Sequence, residues 1–307
     1  MSDLWWPPLA AFLLAVVLTW VVRPAARMVG AVATPKEDRW HRGTIPLLGG
    51  IAIAGAVLVV APLLPALSWS AWALVGGAGA LALVGLVDDF RPLRPQIKFL
   101  LQVIVTASVV AGGVRLSFTG VPAIDQLVTI VWLVGVTNAF NLLDNMDGLS
   151  AGIAAIVSIT LFVFNFVQGD HQTALLCVVI AGACGGFLIF NFNPARIFMG
   201  DCGSLLIGYL LSGIVLQGAA KAGSELALTL LVPVGVMALP ILDTTLVTIV
   251  RSLHHRPISM GGRDHLSHRL VALGLNERSA VLVLYAVSLL FGSLAVASNY
   301  VSGPVTV

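Results

Sequence analysis

Residues 69–98, WSAWALVGGAGALALVGLVDDFRPLRPQIK, decide the fold of this chain. From 69 to 87 the stretch has no charged residue, and a helix of that length crosses a bilayer core of about 30 Å. Two adjacent carboxylates, Asp88 and Asp89, follow the apolar run, and basic residues as far as Lys98 come next. The pattern predicts a membrane-spanning helix that ends in a charged cluster at the membrane surface.

The rest of the chain repeats this pattern. Of its 307 residues 58% are hydrophobic and 10% are charged, whereas about a quarter of the residues of a soluble domain are charged. Long Leu, Val and Ala runs without two-residue alternation favour helices over barrel strands. We therefore predict an all-α polytopic integral membrane protein that forms a single domain over 1–307. It should have about ten transmembrane helices, and Pro233 and Pro240 should make the ninth long or broken. The apolar segments are 9–22, 45–65, 69–87, 97–114, 121–137, 149–167, 173–190, 204–220, 226–250 and 279–301.

The cations indicate the orientation of the chain in the membrane. Fourteen of the sixteen Lys and Arg residues lie in alternate gaps between the apolar segments or, for Lys98, at the start of the segment that follows such a gap, while Arg115 and Lys221 lie in the other gaps. By the positive-inside rule the basic gaps are cytoplasmic and both termini are outside. The acidic and histidine motifs share the basic gaps, so the predicted active site faces the cytoplasm.

Asp88 and Asp89 lie where the third segment leaves the bilayer. Ionisable groups at such a place are energetically expensive and usually functional. Adjacent carboxylates either bind a cation or move each other's pKa apart, and either property suits a general base. The alternative is a simple ion pairing with Arg91 and Arg94 at the interface.

A second polar patch is TNAFNLLDNMDGLSAG, residues 137–152. Asn138, Asn141, Asp144 and Asp147 recur every three residues and so share one face of a helix or tight turn. Their oxygens suit a hard cation, and their amides suit a sugar, a base or a phosphate. A helix cap is the alternative, but it would need one such residue.

A third motif, NFNPARIFMGDCGS (191–204), places Asp201 just before the eighth segment. Asp201 is a candidate metal ligand or, alternatively, an N-cap. A helix N-terminus repels a bare divalent ion, so a metal there implies an intervening phosphate. Phe198 fits either an ordinary interfacial aromatic or a stacking platform for a base.

The longest basic gap is RSLHHRPISMGGRDHLSHRL (251–270), which contains four of the six histidines. Contact with anionic lipid is one interpretation of this gap. A zinc site at His265 and His268 is disfavoured because no further ligand has the usual spacing. Arg and His beside carboxylates more naturally hold phosphates. Together the motifs indicate an enzyme that joins a soluble nucleotide donor to a lipid phosphate with Mg²⁺.

Two other classes were compared with this interpretation. An ion-coupled transporter is the alternative from another class, because intramembrane acids often form relays. In this chain, however, the acidic residues of the motifs lie at one membrane surface, and Asp243 is the exception. A CDP-alcohol phosphotransferase is suggested by the start of its signature at Asp144, Asp147 and Gly148. Position 152 is Gly where that signature requires Arg, which excludes this class.

Five motifs in order resemble the polyprenyl-phosphate N-acetylhexosamine-1-phosphate transferase superfamily (MraY, WecA and TagO) over nearly the whole chain. They are PKEDRWHRGTIPLLGG, VDDFRPLRPQIKFLLQ, NAFNLLDNMDGLSAG, NFNPARIFMGDCGS and RDHLSHRL. DHLSHRL is closest to the WecA/TagO-like branch, whereas Ser267 and GTIPLLGG depart from it. The resemblance implies transfer of a sugar-1-phosphate from a UDP-sugar to undecaprenyl phosphate, with release of UMP and with Mg²⁺ as cofactor, for which Mn²⁺ is a substitute.

The resemblance also implies roles for individual residues. One of Asp88 and Asp89 would deprotonate the lipid phosphate, and Asp201 would bind the metal, with Asp88, Asp89 and Asp144 as further candidate ligands. The implied substrate-binding residues are Lys98 near the lipid phosphate, Asn138, Asn141, Asp144 and Asp147 facing the nucleotide and sugar, Asn191 in a polar pocket, Phe198 near uracil, and Arg263, His265 and His268 in the sugar-phosphate loop.

The expected donor is UDP-GlcNAc or a related UDP-N-acetylhexosamine, with UDP-MurNAc-pentapeptide as the alternative. The resemblance places the protein in a bacterial plasma membrane, at the first membrane step of cell-envelope glycan synthesis such as lipopolysaccharide or teichoic acid. The expected partners are the UDP-sugar, undecaprenyl phosphate and membrane lipids, with no nucleic acid, and a homodimer by analogy with the family.

Overall fold

A computed structural model describes residues 5–33, 43–65, 67–115, 119–222, 226–257 and 262–301. Residues 35–42 of the first quoted motif therefore lie outside the described residues. A two-stranded antiparallel ribbon pairs β1 (Val32–Ala33) with β2 (Ile45–Pro46). The helices are α1 (Trp6–Met28), α2 (Gly50–Val60), α3 (Trp69–Phe90), α4 (Pro95–Ala111), α5 (Pro122–Leu143), α6 (Leu149–Val167), α7 (His171–Asn191), α8 (Gly200–Ala222), α9 (Leu226–Val236), α10 (Ala238–Leu253), α11 (Leu266–Ala272) and α12 (Glu277–Val301).

Each of the ten predicted apolar segments overlaps at least one of these helices. Among the described residues, seven helices are long and apolar enough to cross a membrane: α1, α3, α5, α6, α7, α8 and α12. Helices α2 and α4 are apolar but shorter. The prediction of an all-α polytopic membrane protein is confirmed, while the number of spans stays a prediction.

The ninth segment is broken, as the prolines predict. Helix α9 ends at Val236, and α10 begins at Ala238 after Met237. Pro240 has no N–H to donate to the carbonyl of Val236, so the helical bond across the junction is missing. The same proline is tolerated because it lies in the first turn of α10, where N–H groups have no helical partner.

Helix α8 is the centre of the bundle, because 94% of its apolar stretch is buried. It packs against α3, α5, α2 and α6. Gly85 allows the close approach of α3, since a Cβ at this position would overlap the backbone carbonyl of Asp201. The end of α3, with its two carboxylates, therefore lies directly against the beginning of α8.

Candidate active site

Four helices bring charged side chains together at one end of the bundle. Helices α3 and α5 end there, and α4 and α8 begin there. Asp88 comes from α3, Lys98 from the first turn of α4, Asn141 from the last turn of α5, and Asp201 from the first turn of α8. These four residues are called the Lys98 cluster.

The ammonium group of Lys98 is the centre of this cluster. It donates to Oδ2 of Asp88 at 3.2 Å, to Oδ1 of Asn141 at 3.3 Å and to Oδ2 of Asp201. The amide of Asn141 donates to Oδ1 of Asp201 at 2.7 Å and to the hydroxyl of Ser204 at 2.9 Å. The side chains of Lys98, Asp88 and Asp201 are 15%, 16% and 25% exposed. They are sheltered from bulk water yet still within reach of a substrate.

The charges of the Lys98 cluster favour a further cation. One ammonium contacts two carboxylates, which leaves the cluster with one excess negative charge. The described residues contain no group of three or more His, Cys, Asp or Glu side chains that could hold a metal by themselves. Mg²⁺ does not need such a cage, because it takes a few carboxylate oxygens together with substrate phosphate oxygens. The oxygens of Asp88, Asn141 and Asp201 already surround one cation, so the donor set fits Mg²⁺.

Asp89 has a different environment from its neighbour Asp88. Its Oδ1 accepts the backbone N–H of Asp201 at 2.8 Å, and its Oδ2 accepts that of Cys202 at 3.1 Å. Asp89 therefore caps the N-terminus of α8 from another helix, which satisfies N–H groups that have no partner inside α8. Gly200 has a φ of +72°, and a Cβ there would come within 2.7 Å of the Asp89 carboxylate.

The side chains of the row at 138, 141, 144 and 147 do not share one set of partners. Asn138 donates to Oε1 of Gln102 at 2.7 Å, one turn away from Asn141. Asp147 accepts the backbone N–H of Ala195 at 2.8 Å. Helix α5 ends at Leu143, so the spacing of three does not continue as a helix face. Asp144 directly follows this helix end and is partly buried.

Asn191 is the last residue of α7, and Phe198 lies in the connection between α7 and α8. The side chain of Asn191 is 3% exposed; it accepts the N–H of Gly148 at 3.1 Å and donates to the carbonyl of Ile197 at 2.9 Å. The backbone of Phe198 forms hydrogen bonds with Pro46 and Gly49 near β2, and Phe198 is partly buried.

Three side chains of this region bind main-chain groups: Asp89, Asp147 and Asn191. These three residues are called the backbone clamps.

The segment 262–268, called the histidine segment, packs against α10. Nδ1 of His265 lies 2.7 Å from Oδ2 of Asp243, and the N–H of Leu266 donates to Oδ1 of Asp243 at 2.7 Å. The rings of His265 and His268 form an edge-to-face pair with centroids 5.7 Å apart. Each of these histidines is 4% exposed, whereas Arg263 is exposed. Burial, reinforced by the neighbouring His265, lowers the pKa of His268 to about 4.

Several residues of this region were not predicted as site residues. Gln102 follows Lys98 by one helical turn, and Ser204 follows Asp201 by almost one turn, so helical periodicity could have identified both. Asn145 and Asp243 were visible in the sequence as polar residues. Their contacts with the histidine segment join parts of the chain far apart in sequence, and nothing local indicated them.

The sequence matches glycosyl transferase family 4 over residues 71–219. It is 35% identical to the probable undecaprenyl-phosphate N-acetylglucosaminyl 1-phosphate transferase of Bacillus subtilis, covering 94% of this chain and 83% of the relative. It is 36% identical to the decaprenyl-phosphate N-acetylglucosaminephosphotransferase of Mycolicibacterium smegmatis, covering 90% and 77%. It is 31% identical to the phospho-N-acetylmuramoyl-pentapeptide-transferase of Geobacillus kaustophilus, covering 85% and 86%.

Proposed function

The chain belongs to glycosyl transferase family 4, and we propose that it transfers N-acetylglucosamine 1-phosphate from UDP-GlcNAc, or a related UDP-N-acetylhexosamine, to undecaprenyl phosphate. The products would be a polyprenyl-diphosphate-linked sugar and UMP. The family resemblance of the five motifs is confirmed by these matches. The names of the Bacillus and Mycolicibacterium relatives support the choice of sugar and of lipid acceptor.

The observation that carries the proposal is the Lys98 cluster. It joins an ammonium, two carboxylates and a carboxamide at the end of an apolar helix bundle. A phosphate-bearing lipid can keep its chain in the bilayer while its headgroup reaches these charges. Phosphoryl transfer depends chiefly on positioning and charge neutralisation, and this set of groups supplies both.

In the proposed reaction an oxygen of the lipid phosphate attacks the phosphorus that carries the sugar. A new oxygen–phosphorus bond forms, and the bond to the bridging oxygen of UMP breaks, so the electron pair leaves with UMP. Lys98 offsets negative charge on the phosphates. We assign the base to Asp88, because its carboxylate contacts Lys98 and one backbone N–H, that of Leu93. Both oxygens of Asp89, by contrast, accept main-chain N–H groups.

Mg²⁺ is proposed as the cofactor, with Mn²⁺ as a substitute. When bound, it would neutralise the charge of the donor diphosphate. Asp201 and Asp88 would hold it, since their oxygens already converge on one cation. The roles of Asp89 and Asp144 as metal ligands, and of Phe198, Arg263, His265 and His268 as substrate contacts, stay predictions from the resemblance.

We place this site on the cytoplasmic side of a bacterial plasma membrane, with both termini outside. The support is the charge distribution: fourteen of the sixteen Lys and Arg residues accompany the same set of gaps as the motifs of the site. By the positive-inside rule these gaps are cytoplasmic. A soluble UDP-sugar is present on that side, which agrees with the placement. Cysteine substitutions in the basic and non-basic gaps, labelled with an impermeant reagent in intact cells, would test it.

The direct test is UMP release by the purified protein in detergent, given undecaprenyl phosphate, Mg²⁺ and a panel of UDP-sugars. We expect release with UDP-GlcNAc or another UDP-N-acetylhexosamine and none without the lipid phosphate. Release from UDP-MurNAc-pentapeptide alone would assign the chain to the reaction named for the Geobacillus relative. No release with any donor would contradict the proposal.

A further inference from the structure

A buried carboxylate in the second half of the broken ninth segment has no role in the reaction described so far. Asp243 lies in α10 and is 1% exposed. A buried charge is energetically costly unless its oxygens are hydrogen-bonded. Here one oxygen is 2.7 Å from Nδ1 of His265, and the other accepts the N–H of Leu266 at 2.7 Å. Both oxygens are therefore directed at the histidine segment.

A second buried charge on the same face of α10 binds the same segment. One face of α10 carries three buried residues that are spaced four positions apart, Asp243, Val247 and Arg251. Nε of Arg251, a residue that is 2% exposed, donates to Oδ2 of Asp264 at 3.2 Å. Helix α10 thus binds the histidine segment at Asp264 through Arg251 and at His265 and Leu266 through Asp243.

The histidine segment is also hydrogen-bonded to the turn that follows α5. The hydroxyl of Ser267 donates to Oδ1 of Asn145 at 2.6 Å, and Ser267 is 1% exposed. Asn145 follows Asn141, a member of the Lys98 cluster, by four residues. The segment is therefore bonded both to α10 and to the turn directly after the part of α5 that carries the site.

We propose that Asp243 is a positioning residue: it accepts the Nδ1–H of His265 and fixes the orientation of the imidazole, so that Nε2, when it carries a proton, can donate to a phosphate of the donor. This inference rests on the proposed function. The hydrogen bond at one ring nitrogen fixes the position of the proton on the imidazole, and a carboxylate partner also holds the ring in place.

The first test is kinetic. Asp243→Asn keeps the size of the side chain but has one acceptor oxygen, so it cannot accept from both His265 and Leu266. We expect kcat for UMP release to fall roughly 10- to 100-fold, with little change in KM for undecaprenyl phosphate. Asp125→Asn is the matched control, because Asp125 is 3% exposed, bonds to Thr119 and lies at the other end of α5. This control should keep the wild-type kcat.

A double-mutant comparison separates positioning from general destabilisation. If Asp243 acts through His265, adding Asp243→Asn to His265→Gln should reduce kcat little beyond the loss seen with His265→Gln alone. Losses that multiply independently would overturn the proposal. Wild-type kcat in Asp243→Asn would overturn it as well.

A spectroscopic test does not depend on activity. Histidine labelled with ¹⁵N gives few resonances, since the chain has six His, and the loss of one in His265→Gln assigns it. We expect the substrate-free wild type to carry a proton on Nδ1 of His265; an unprotonated Nδ1 would overturn the proposal even if Asp243→Asn fails to fold. Wild-type protein that releases no UMP would contradict the proposed function, whereas this spectrum would still test the Asp243–His265 pair.

Discussion

The Lys98 cluster and the backbone clamps contain the same kinds of side chain at the same end of the bundle, but they bind different partners. Asp88, Asn141 and Asp201 converge on a lysine ammonium. Asp89 and Asn191 bind main-chain groups of neighbouring segments. A carboxylate that faces a side-chain cation can exchange this partner for a substrate or metal. One that satisfies backbone N–H groups would leave them without a partner if it moved.

Asp88 and Asp89 show this difference most clearly, because they are adjacent in sequence. Successive residues of a helix point about 100° apart. At the end of α3 this rotation directs Asp88 toward Lys98 of α4 and Asp89 toward the first N–H groups of α8. Under the proposed function, this difference would give Asp88 the chemical role and Asp89 the structural one.

The largest expected effect is that of Asp201→Asn. The change removes one of the two negative charges beside Lys98 but leaves the backbone N–H that Asp89 accepts. We expect kcat for UMP release to fall about 10³-fold, since metal-assisted charge neutralisation contributes several kcal/mol. A titration of activity against Mg²⁺ should also require more metal. An unchanged Mg²⁺ titration would contradict the metal role of Asp201.

The next effect is that of Asp88→Asn, which removes the proposed base. Kcat should fall roughly 10²-fold while KM for the UDP-sugar changes little, because a base acts mainly in the transition state. Thermal unfolding in detergent serves as the control and should show a decrease in Tm no larger than that of Asp89→Asn, because the asparagine oxygen can still accept the N–H of Leu93. If the variant loses donor affinity alone, Asp88 binds the donor and is not the base.

Asp89→Asn should change stability more than chemistry. Asparagine has a single acceptor oxygen, so one of the N–H groups of Asp201 and Cys202 loses its partner. The loss of a cap costs about 1 kcal/mol, which lowers Tm by roughly 2–4 °C, and we expect a decrease in kcat smaller than for Asp88→Asn. A wild-type Tm combined with a loss of kcat as large as that of Asp88→Asn would place Asp89 in the reaction itself.

At neutral pH the smallest effect is that of His268, because its proton affects stability only at lower pH. Burial lowers the pKa of His268 in the folded protein to about 4, whereas the unfolded chain takes up this proton near pH 6.5. The contribution of the neutral His268 to the free energy of unfolding should therefore be fully present above about pH 6.5. It should decrease as pH falls toward 4, by up to about 3 kcal/mol. The Tm of His268→Gln should fall less than that of the wild type over this range; equal decreases would contradict the assignment.

Much of the architecture could be predicted because it depends on local properties. Apolar runs must form helices in lipid, since their backbone groups find no water there. Pro240 interrupts the ninth segment because it lacks an N–H. The motifs share one set of gaps, and the structure brings Asp88, Lys98, Asn141 and Asp201 together at one end of the bundle.

The individual roles at the site could not be predicted in this way. The spacing of three from Asn138 to Asp147 indicated one shared face, but α5 ends at Leu143, and Asn138 and Asp147 bind different parts of the protein. Asp243 appeared in the sequence as an isolated acid in an apolar segment. Its partner His265 lies 22 positions later, beyond the end of α10.

By itself the sequence determined that this protein is a helical membrane protein with its polar chemistry at one end, because hydropathy, prolines and charge act through neighbouring residues and the surrounding lipid. The tertiary structure alone decided which carboxylate meets a cation and which caps a helix. Asp89 and Asp201 are 112 positions apart, and their contact depends on how α3 packs against α8. That packing follows from the complementary surfaces of whole helices, which no single motif contains.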